Sequence, residues 1–186
     1  MTRHTRRAAL GLALGAGALL AGCNNGLGSQ GGATIDARVD ATLQQLYTNY
    51  PATRDLASKS VGMLVMPLVT EAGMGIGGSY GRGALRVNGA TIDYYSATQA
   101  SFGLQIGAQQ YAHVLFFMTN DALYQFRNSP GWAAGADIEY AVNDRGGNLS
   151  ATTTTSLTPV IGVVFGQAGL IAGATLEGTK YNRIIP

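Results

Sequence analysis

Three residues that could carry out acyl transfer occur in the order used by many hydrolases: Ser79, Asp93 and His113. Ser79 lies in the stretch GMGIGGSYGRG (73–83), which contains two familiar glycine patterns. One is the G-x-S-x-G of a nucleophile elbow, where a serine hydroxyl attacks a carbonyl. The other is the G-x-G-x-x-G of a dinucleotide-binding loop, where backbone N–H groups hold a pyrophosphate.

Both patterns need a helix directly after the glycines, to expose the serine or to face the phosphates. The following residues, SYGRGALRVN, instead alternate small and large side chains, which is the period of a strand. His113 lies in YAHVLFFM, where a hydrogen-bonded strand histidine is expected. We therefore expect no nucleotide cofactor and no enzyme. A hydrolase is kept as the third alternative, and it requires Ser79, His113 and a carboxylate to meet.

Small residues occupy five alternate positions of this strand: Gly75, Gly77, Ser79, Gly81 and Gly83. The same device recurs in SFGLQIGA (101–108). Glycine costs about 0.5–1 kcal/mol inside a strand, so its repeated use indicates that a side chain would obstruct something. Strong curvature or a closely packed backbone is one explanation, and a groove for a lipid tail is the other.

The N-terminus is typical of a bacterial lipoprotein signal. Three arginines precede a fourteen-residue apolar run, Ala8–Ala21, which is too short to span a bilayer, and LAGC (20–23) resembles a lipobox. We predict a signal peptide over 1–22, acylation of Cys23 by diacylglycerol and a fatty acid such as palmitate, a flexible tether over 23–33 and one domain over 34–186. The expected location is the bacterial cell envelope, anchored to the outer membrane and facing the periplasm or the cell surface.

Removal of the signal leaves nine basic and ten acidic residues, a net charge of −1. No basic stripe for nucleic acid is then expected. The acylated Cys23 is the only cysteine and His113 the only remaining histidine, so neither a disulfide nor a metal site is expected.

The elements begin with an amphipathic helix that ends before Pro51. Its apolar stripe is predicted to cover a sheet, with a membrane-facing helix as the alternative. PATRDLASKS (51–60) could form a second helix with Leu56 inward, and TNDALYQFRN (119–128) a third, capped by Thr119 or Asn120. The stripe consists of Ile35, Val39, Leu43, Leu46, Tyr47 and Tyr50.

The remaining chain is β-like, and Asn88-Gly89 predicts a type I′ hairpin turn. Pro67 should lie at an edge or a strand end. We expect an α+β fold dominated by a curved, mostly antiparallel, barrel-like sheet. The predicted strands are 61–69, 76–87, 91–95, 101–107, 113–118, 136–142, 149–157, 160–165, 170–176 and 180–184.

Several stretches together resemble the SYLF domain family, a phosphoinositide-binding and actin-regulator module with bacterial lipoprotein members. The resemblance implies a non-enzymatic, lipid-recognising, β-rich domain. Many relatives carry a basic pair where this chain has Lys59 and Val61, so a particular head group does not transfer. The stretches are KSVGMLVMP (59–67), GMGIGGSYGRGAL (73–85), YYSATQASFGLQIGAQ (94–109), ALYQF (122–126), GWAAGAD (131–137) and GLIAGATLEGTKYNRI (169–184).

Two functions follow from these observations. The first is an envelope lipoprotein whose domain binds lipid or an anionic head group through basic and tyrosine side chains. The second is a structural or partner-binding envelope lipoprotein without a small ligand. The candidate lipid contacts are Arg54, Lys59, Tyr80, Arg82, Arg86, Tyr94, Tyr95, Lys180 and Arg183.

Overall fold

A computed structural model describes residues 29–135, 139–140, 158–166, 169–170 and 176–186 of the 186-residue chain. Within these residues there are three helices and seven strands. The helices are α1 (Gly31–Asn49), α2 (Thr53–Lys59) and α3 (Asn120–Asn128). The strands are β1 (Gly62–Val87), β2 (Ala90–Phe117), β3 (Trp132–Ala133), β4 (Glu139–Tyr140), β5 (Val160–Gly166), β6 (Gly169–Leu170) and β7 (Lys180–Ile184).

The fold is built on one long antiparallel hairpin, β1–β2, which pairs from Val87↔Ala90 to Gly62↔Phe117. The predicted turn is confirmed, because Asn88 and Gly89 have φ of 50° and 80°. The hairpin strands are longer than predicted, since several predicted strands merge into two. The described hairpin contains three register shifts, and the shift between Met66 and Val69 accommodates Pro67.

The other edge of β2 is shared by two strands. Tyr94–Thr98 pair with β7, and Ala112–Phe117 pair with β5. Strand β3 extends the sheet beyond β7, and β4 and β6 pair with β5. Among the described strands, the short β4–β5 pair is parallel and the other pairs are antiparallel. The predicted α+β class with a curled, mostly antiparallel, half-barrel sheet is confirmed.

The alternating glycines allow the curled sheet to close on itself. A Cβ added to Gly81 would lie 2.7 Å from the Leu68 carbonyl oxygen, and one added to Gly83 would overlap the Val65 carbonyl oxygen. The backbone of the first part of β1 therefore fills the space beside these glycines. Close backbone packing is the correct explanation here, and a lipid-tail groove at Gly81 and Gly83 is contradicted.

Two apolar clusters lie on the two faces of the sheet. The inner cluster fills the concave side, where Phe126 of α3 packs against Tyr95, Phe117 and Tyr181 with ring centroids 4.8 to 6.1 Å apart. Helix α3 is capped as predicted, because the Thr119 hydroxyl accepts a hydrogen bond from the Ala122 N–H.

Helix α1 covers the outer face. Its stripe packs on β-sheet residues that include Val65, Val114 and Phe116, so the predicted core role of this stripe is confirmed. The alternative in which the same stripe faces a membrane is contradicted. Leu56 of α2 is also buried, as predicted.

The helix begins at Gly31, ahead of the predicted domain start at Thr34. Two contacts account for this. The Ser29 hydroxyl donates a hydrogen bond to the Pro186 carbonyl oxygen at 2.7 Å and accepts one from the Gly31 N–H. Gly32 lies against the Tyr94 ring, where a Cβ would be 2.9 Å from the hydroxyl oxygen. Residues 31–33 are thus part of the folded domain rather than of the tether.

Some predictions fall outside the described residues. They include the signal peptide, the acylated Cys23, most of the tether and the strand predicted over 149–157. No helix within the described ranges is long and apolar enough to cross a membrane.

Candidate functional site

Part of the outer sheet face extends past α1 and stays exposed. In an antiparallel ladder, directly paired residues point to the same face. Tyr80 pairs with Thr98, which pairs on its other side with Lys180 of β7. Arg82 lies one row nearer α1 on the same face, and Ile76 lies four residues before Tyr80. We call Ile76, Tyr80, Arg82, Thr98 and Lys180 the open face.

The open face combines apolar, aromatic and cationic side chains. Ile76 is 74% exposed and Tyr80 is 54% exposed. Neither Arg82 nor Lys180 has an acidic partner among the residues that the structure describes. Their Cα atoms are roughly 12 Å apart by strand spacing. Strand β2 lies between β1 and β7, and the two positions are also offset by two residues along the strands. Two long side chains at that distance can reach one phosphate or carboxylate group between them.

Two of the predicted contacts lie on α2, away from the open face. Lys59 forms an ion pair with Asp55 at 2.7 Å, and both side chains are more than 60% exposed. Arg54 lies over the Tyr47 ring, with its Cζ 5.0 Å from the ring centroid. Each is an exposed local pair on a helix surface, worth a few tenths of a kcal/mol to stability.

Arg86 and Tyr94 fasten α1 to the sheet instead of facing a ligand. Arg86 Nη2 lies 2.6 Å from Asp40 Oδ1 and 3.7 Å from Asp36 Oδ1, and its side chain is only 13% exposed. The Tyr94 hydroxyl donates a hydrogen bond to Asp36 Oδ2 at 2.8 Å. Burial, and then this bond, raise the pKa of Tyr94. Arg86 and Tyr94, which were predicted to contact lipid, thus hold α1 against the sheet and are not part of the open face.

Arg183 and Tyr95 belong to a second internal clasp. Asp93 is bridged by Arg183 and by Arg127 of α3, each at 3.4 Å. Tyr95 is 3% exposed within the inner cluster, and burial raises the pKa of its hydroxyl. A ring so deeply buried cannot contact a membrane surface, so Tyr95 is not a lipid contact either. Arg183 stays half-exposed, but its charge is balanced by Asp93.

Ser79, Asp93 and His113 do not form the hydrogen-bonded arrangement of a hydrolase in the described structure. Asp93 is engaged by two arginines, and His113 Nε2 lies 2.9 Å from the Tyr181 hydroxyl. Ser79 Oγ has no hydrogen-bond partner in the described structure. His113 is fully buried, which lowers its pKa to about 3 and keeps it neutral. Among the described residues, no histidine or carboxylate hydrogen-bonds to Ser79 Oγ.

A small cleft of about 110 Å³ opens at the C-terminal half of α1. Its lining includes the Gln45 and Gln110 side chains and the register shift at Pro67. Pockets for drug-sized ligands are typically 300–1,000 Å³, so this cleft suits only a few water molecules. Among the described ranges, no group of three or more His, Cys, Asp or Glu side chains could hold a metal ion.

Sequence reasoning identified three members of the open face, Tyr80, Arg82 and Lys180, and missed Ile76 and Thr98. The missed residues carry a usable signal, because Ile76, Tyr80 and Arg82 share one parity along a strand. The contribution of Thr98 depends on the β2–β7 register, which joins residues about eighty positions apart.

Comparison with known families gives one match. Residues 98–183 match the family model Ysc84, described as Las17-binding protein actin regulator. The match begins at Thr98 in β2 and ends at Arg183 in β7. No curated protein matches the chain.

Proposed function

We propose that this domain binds anionic lipid head groups without catalysis, because residues 98–183 match the Ysc84 (SYLF) family, which is associated with lipid or actin-regulator binding. The observation that carries the proposal is the pair of unneutralised cations, Arg82 and Lys180, beside exposed Ile76 and Tyr80. The cations supply attraction to phosphate, and the apolar and aromatic side chains suit the region between head groups and acyl chains.

Four of the other cations are already paired, which supports this choice. Lys59, Arg86, Arg127 and Arg183 each lie within 4 Å of a carboxylate, so a lipid phosphate would have to displace an existing partner. Arg82 and Lys180 require no such exchange. Among the described residues Arg38 and Arg54 also lack a carboxylate within 4 Å, but they lie on α1 and α2 rather than on the open face.

We also propose that the protein is an envelope lipoprotein, anchored to the outer membrane through Cys23. The support for this anchor is the LAGC sequence after a basic and apolar N-terminus. In bacteria fed labelled palmitate, we expect the label on the wild-type protein and none on Cys23→Ser. An unlabelled wild-type protein would contradict the anchor and leave the head-group proposal to be judged separately.

Flotation with lipid vesicles tests the head-group site. The unacylated chain starting at Asn24 is expected to float with vesicles that contain phosphatidylglycerol and not with pure phosphatidylcholine. Each cation near an anionic surface contributes about 1 kcal/mol, so Arg82→Gln combined with Lys180→Gln should weaken binding roughly 30-fold.

The matched control is Arg54→Gln combined with Lys59→Gln, which removes the same charge from α2. Affinity of this control should stay close to that of the wild type. Equal losses in the two double variants would show that net charge rather than the open face matters. Failure of the wild type to float with any anionic mixture would reject the proposal.

The second candidate is recognition of a protein partner, because the family description names a protein ligand. For this chain the partner would be another envelope protein. A pull-down that recovers one stoichiometric protein, together with lipid extracts that leave nothing bound, would favour this function.

A further inference from the structure

The concave side of the sheet contains several polar side chains that the proposed function does not use. Five hydrogen-bonding residues, all buried, face the interior between the two parts of the hairpin. We call them the inner ring, and they are Ser79, Tyr111, His113, Thr179 and Tyr181.

The ladder and the side-chain contacts bring these residues together. The Tyr181 hydroxyl meets His113 Nε2 at 2.9 Å, and the Tyr111 ring lies 6.0 Å from the His113 ring. Burial raises the pKa of Tyr111, and the Ser79 side chain partly offsets this rise. Thr179 precedes Lys180 in β7, so it lies beside Gln99, the β2 residue that pairs with Ser79.

Three polar atoms of the inner ring have no hydrogen-bond partner in the described structure: Ser79 Oγ, His113 Nδ1 and Thr179 Oγ1. Their residues are 7%, 0% and 2% exposed. An unsatisfied buried polar group costs about 1–3 kcal/mol, and native proteins leave few of them. Ser79 and Thr179 lie on either side of Gln99 in the ladder, and Tyr181 joins β7 to His113, so one shared ligand would satisfy all three atoms.

The chemistry of the inner ring restricts the ligand. Hydroxyls and a neutral imidazole can both donate and accept hydrogen bonds, which suits a neutral molecule. No Lys, Arg, Asp or Glu belongs to the ring, so an ion would have no counter-charge. The space is tight, because the Val69 side chain comes within 2.8 Å of a Cβ position at Gly81.

From these contacts we infer that the inner ring binds ordered water, one or two molecules bridging His113 Nδ1 to the Ser79 and Thr179 hydroxyls. Internal waters typically make about three hydrogen bonds to buried groups that lack protein partners, which this arrangement offers. The water would link β1, β2 and β7 inside the half-barrel, independently of any lipid on the outer face.

The test combines thermal unfolding with NMR contacts between water and protein. In the wild-type chain, the His113 ring protons should show cross-peaks to long-lived water. Thr179→Val and Ser79→Ala each remove a ligand atom, so each should weaken these cross-peaks and lower Tm by about 2–4 °C.

Ser96→Ala is the matched control, since Ser96 is a similarly buried serine on the outer face, near the Asn182 carbonyl oxygen. Its substitution should leave the water cross-peaks of His113 intact. If the inner ring is dry, removing an unsatisfied hydroxyl should raise Tm in Thr179→Val and Ser79→Ala, and the wild type should show no water cross-peaks. That result would overturn the inference without affecting the head-group proposal.

Discussion

Gly83→Val is expected to prevent stable folding of the domain. A Cβ at this position overlaps the Val65 carbonyl oxygen and lies 2.6 Å from Met66 Sδ. Neither segment can move away easily, because Val65 is paired with Val114 and Gly83 with Tyr95 in the same sheet. Ordinary overpacking costs about 1–3 kcal/mol, and a clash between two paired backbones should exceed this range. We expect insoluble protein, or a Tm lower by about 10 °C or more.

Gly78→Ala is the control from the same strand. Gly78 is exposed, and a Cβ there would approach only the Gln99 carbonyl oxygen, at 3.2 Å. Its Tm should remain within about 3 °C of the wild-type value. Circular dichroism melting of the two variants provides the comparison. Equal stability of the Gly83 and Gly78 variants would show that β1 does not pack against itself as the structure describes.

The free energy of unfolding is expected to fall steeply with acidity because of His113. Burial lowers its pKa to about 3 from an ordinary value of 6.5, and no charged group offsets this effect. Between pH 3 and pH 6.5, the His113 side chain is protonated in the unfolded chain and neutral in the folded chain. The stability from the neutral imidazole is therefore complete above pH 6.5 and is lost as the pH falls towards 3. The slope is about 1.4 kcal/mol per pH unit.

Urea unfolding at pH 7 and pH 4.5 measures this contribution. From His113 alone we expect a loss of about 2–3 kcal/mol across that interval. His113→Gln keeps a side chain that can hydrogen-bond to Tyr181 but does not titrate. Its pH dependence should be smaller by that amount, because the other titratable groups are the same in both proteins. Identical pH profiles would mean that His113 is accessible to protons in the folded state.

The secondary structure was predictable where local chemistry decides it. The Asn88-Gly89 turn, the Thr119 cap and the stripe on α1 each depend on residues close in sequence. Strand lengths were not predictable in the same way. Pro67 predicts an edge or a strand end, and it lies in β1, which pairs only with β2 among the described strands. The strand continues past Pro67 through a register shift, and a bulge depends on the partner strand.

The candidate site was only partly predictable for a related reason. A basic residue in a sequence carries no sign of its partner when that partner is distant. Arg86 pairs with Asp40, forty-six residues away, and Arg183 pairs with Asp93, ninety residues away. Composition therefore suggested six cations for an anion, whereas the fold leaves Arg82 and Lys180 together on one open surface. The glycine pattern, in contrast, correctly indicated an obstructed face, and of its two explanations the fold supports the closely packed backbone at Gly81 and Gly83.

The pairing of β7 with the beginning of β2 has a consequence for biosynthesis. Lys180–Ile184 meet Tyr94–Thr98, a connection that spans more than eighty residues, whereas the hairpin can zip outward from its turn. A nascent chain released before residue 180 can thus form the hairpin, while Phe126 of α3 and His113 of β2 still lack the Tyr181 side chain that they contact. During synthesis, chaperone occupancy of the concave side should persist until β7 has emerged and docked.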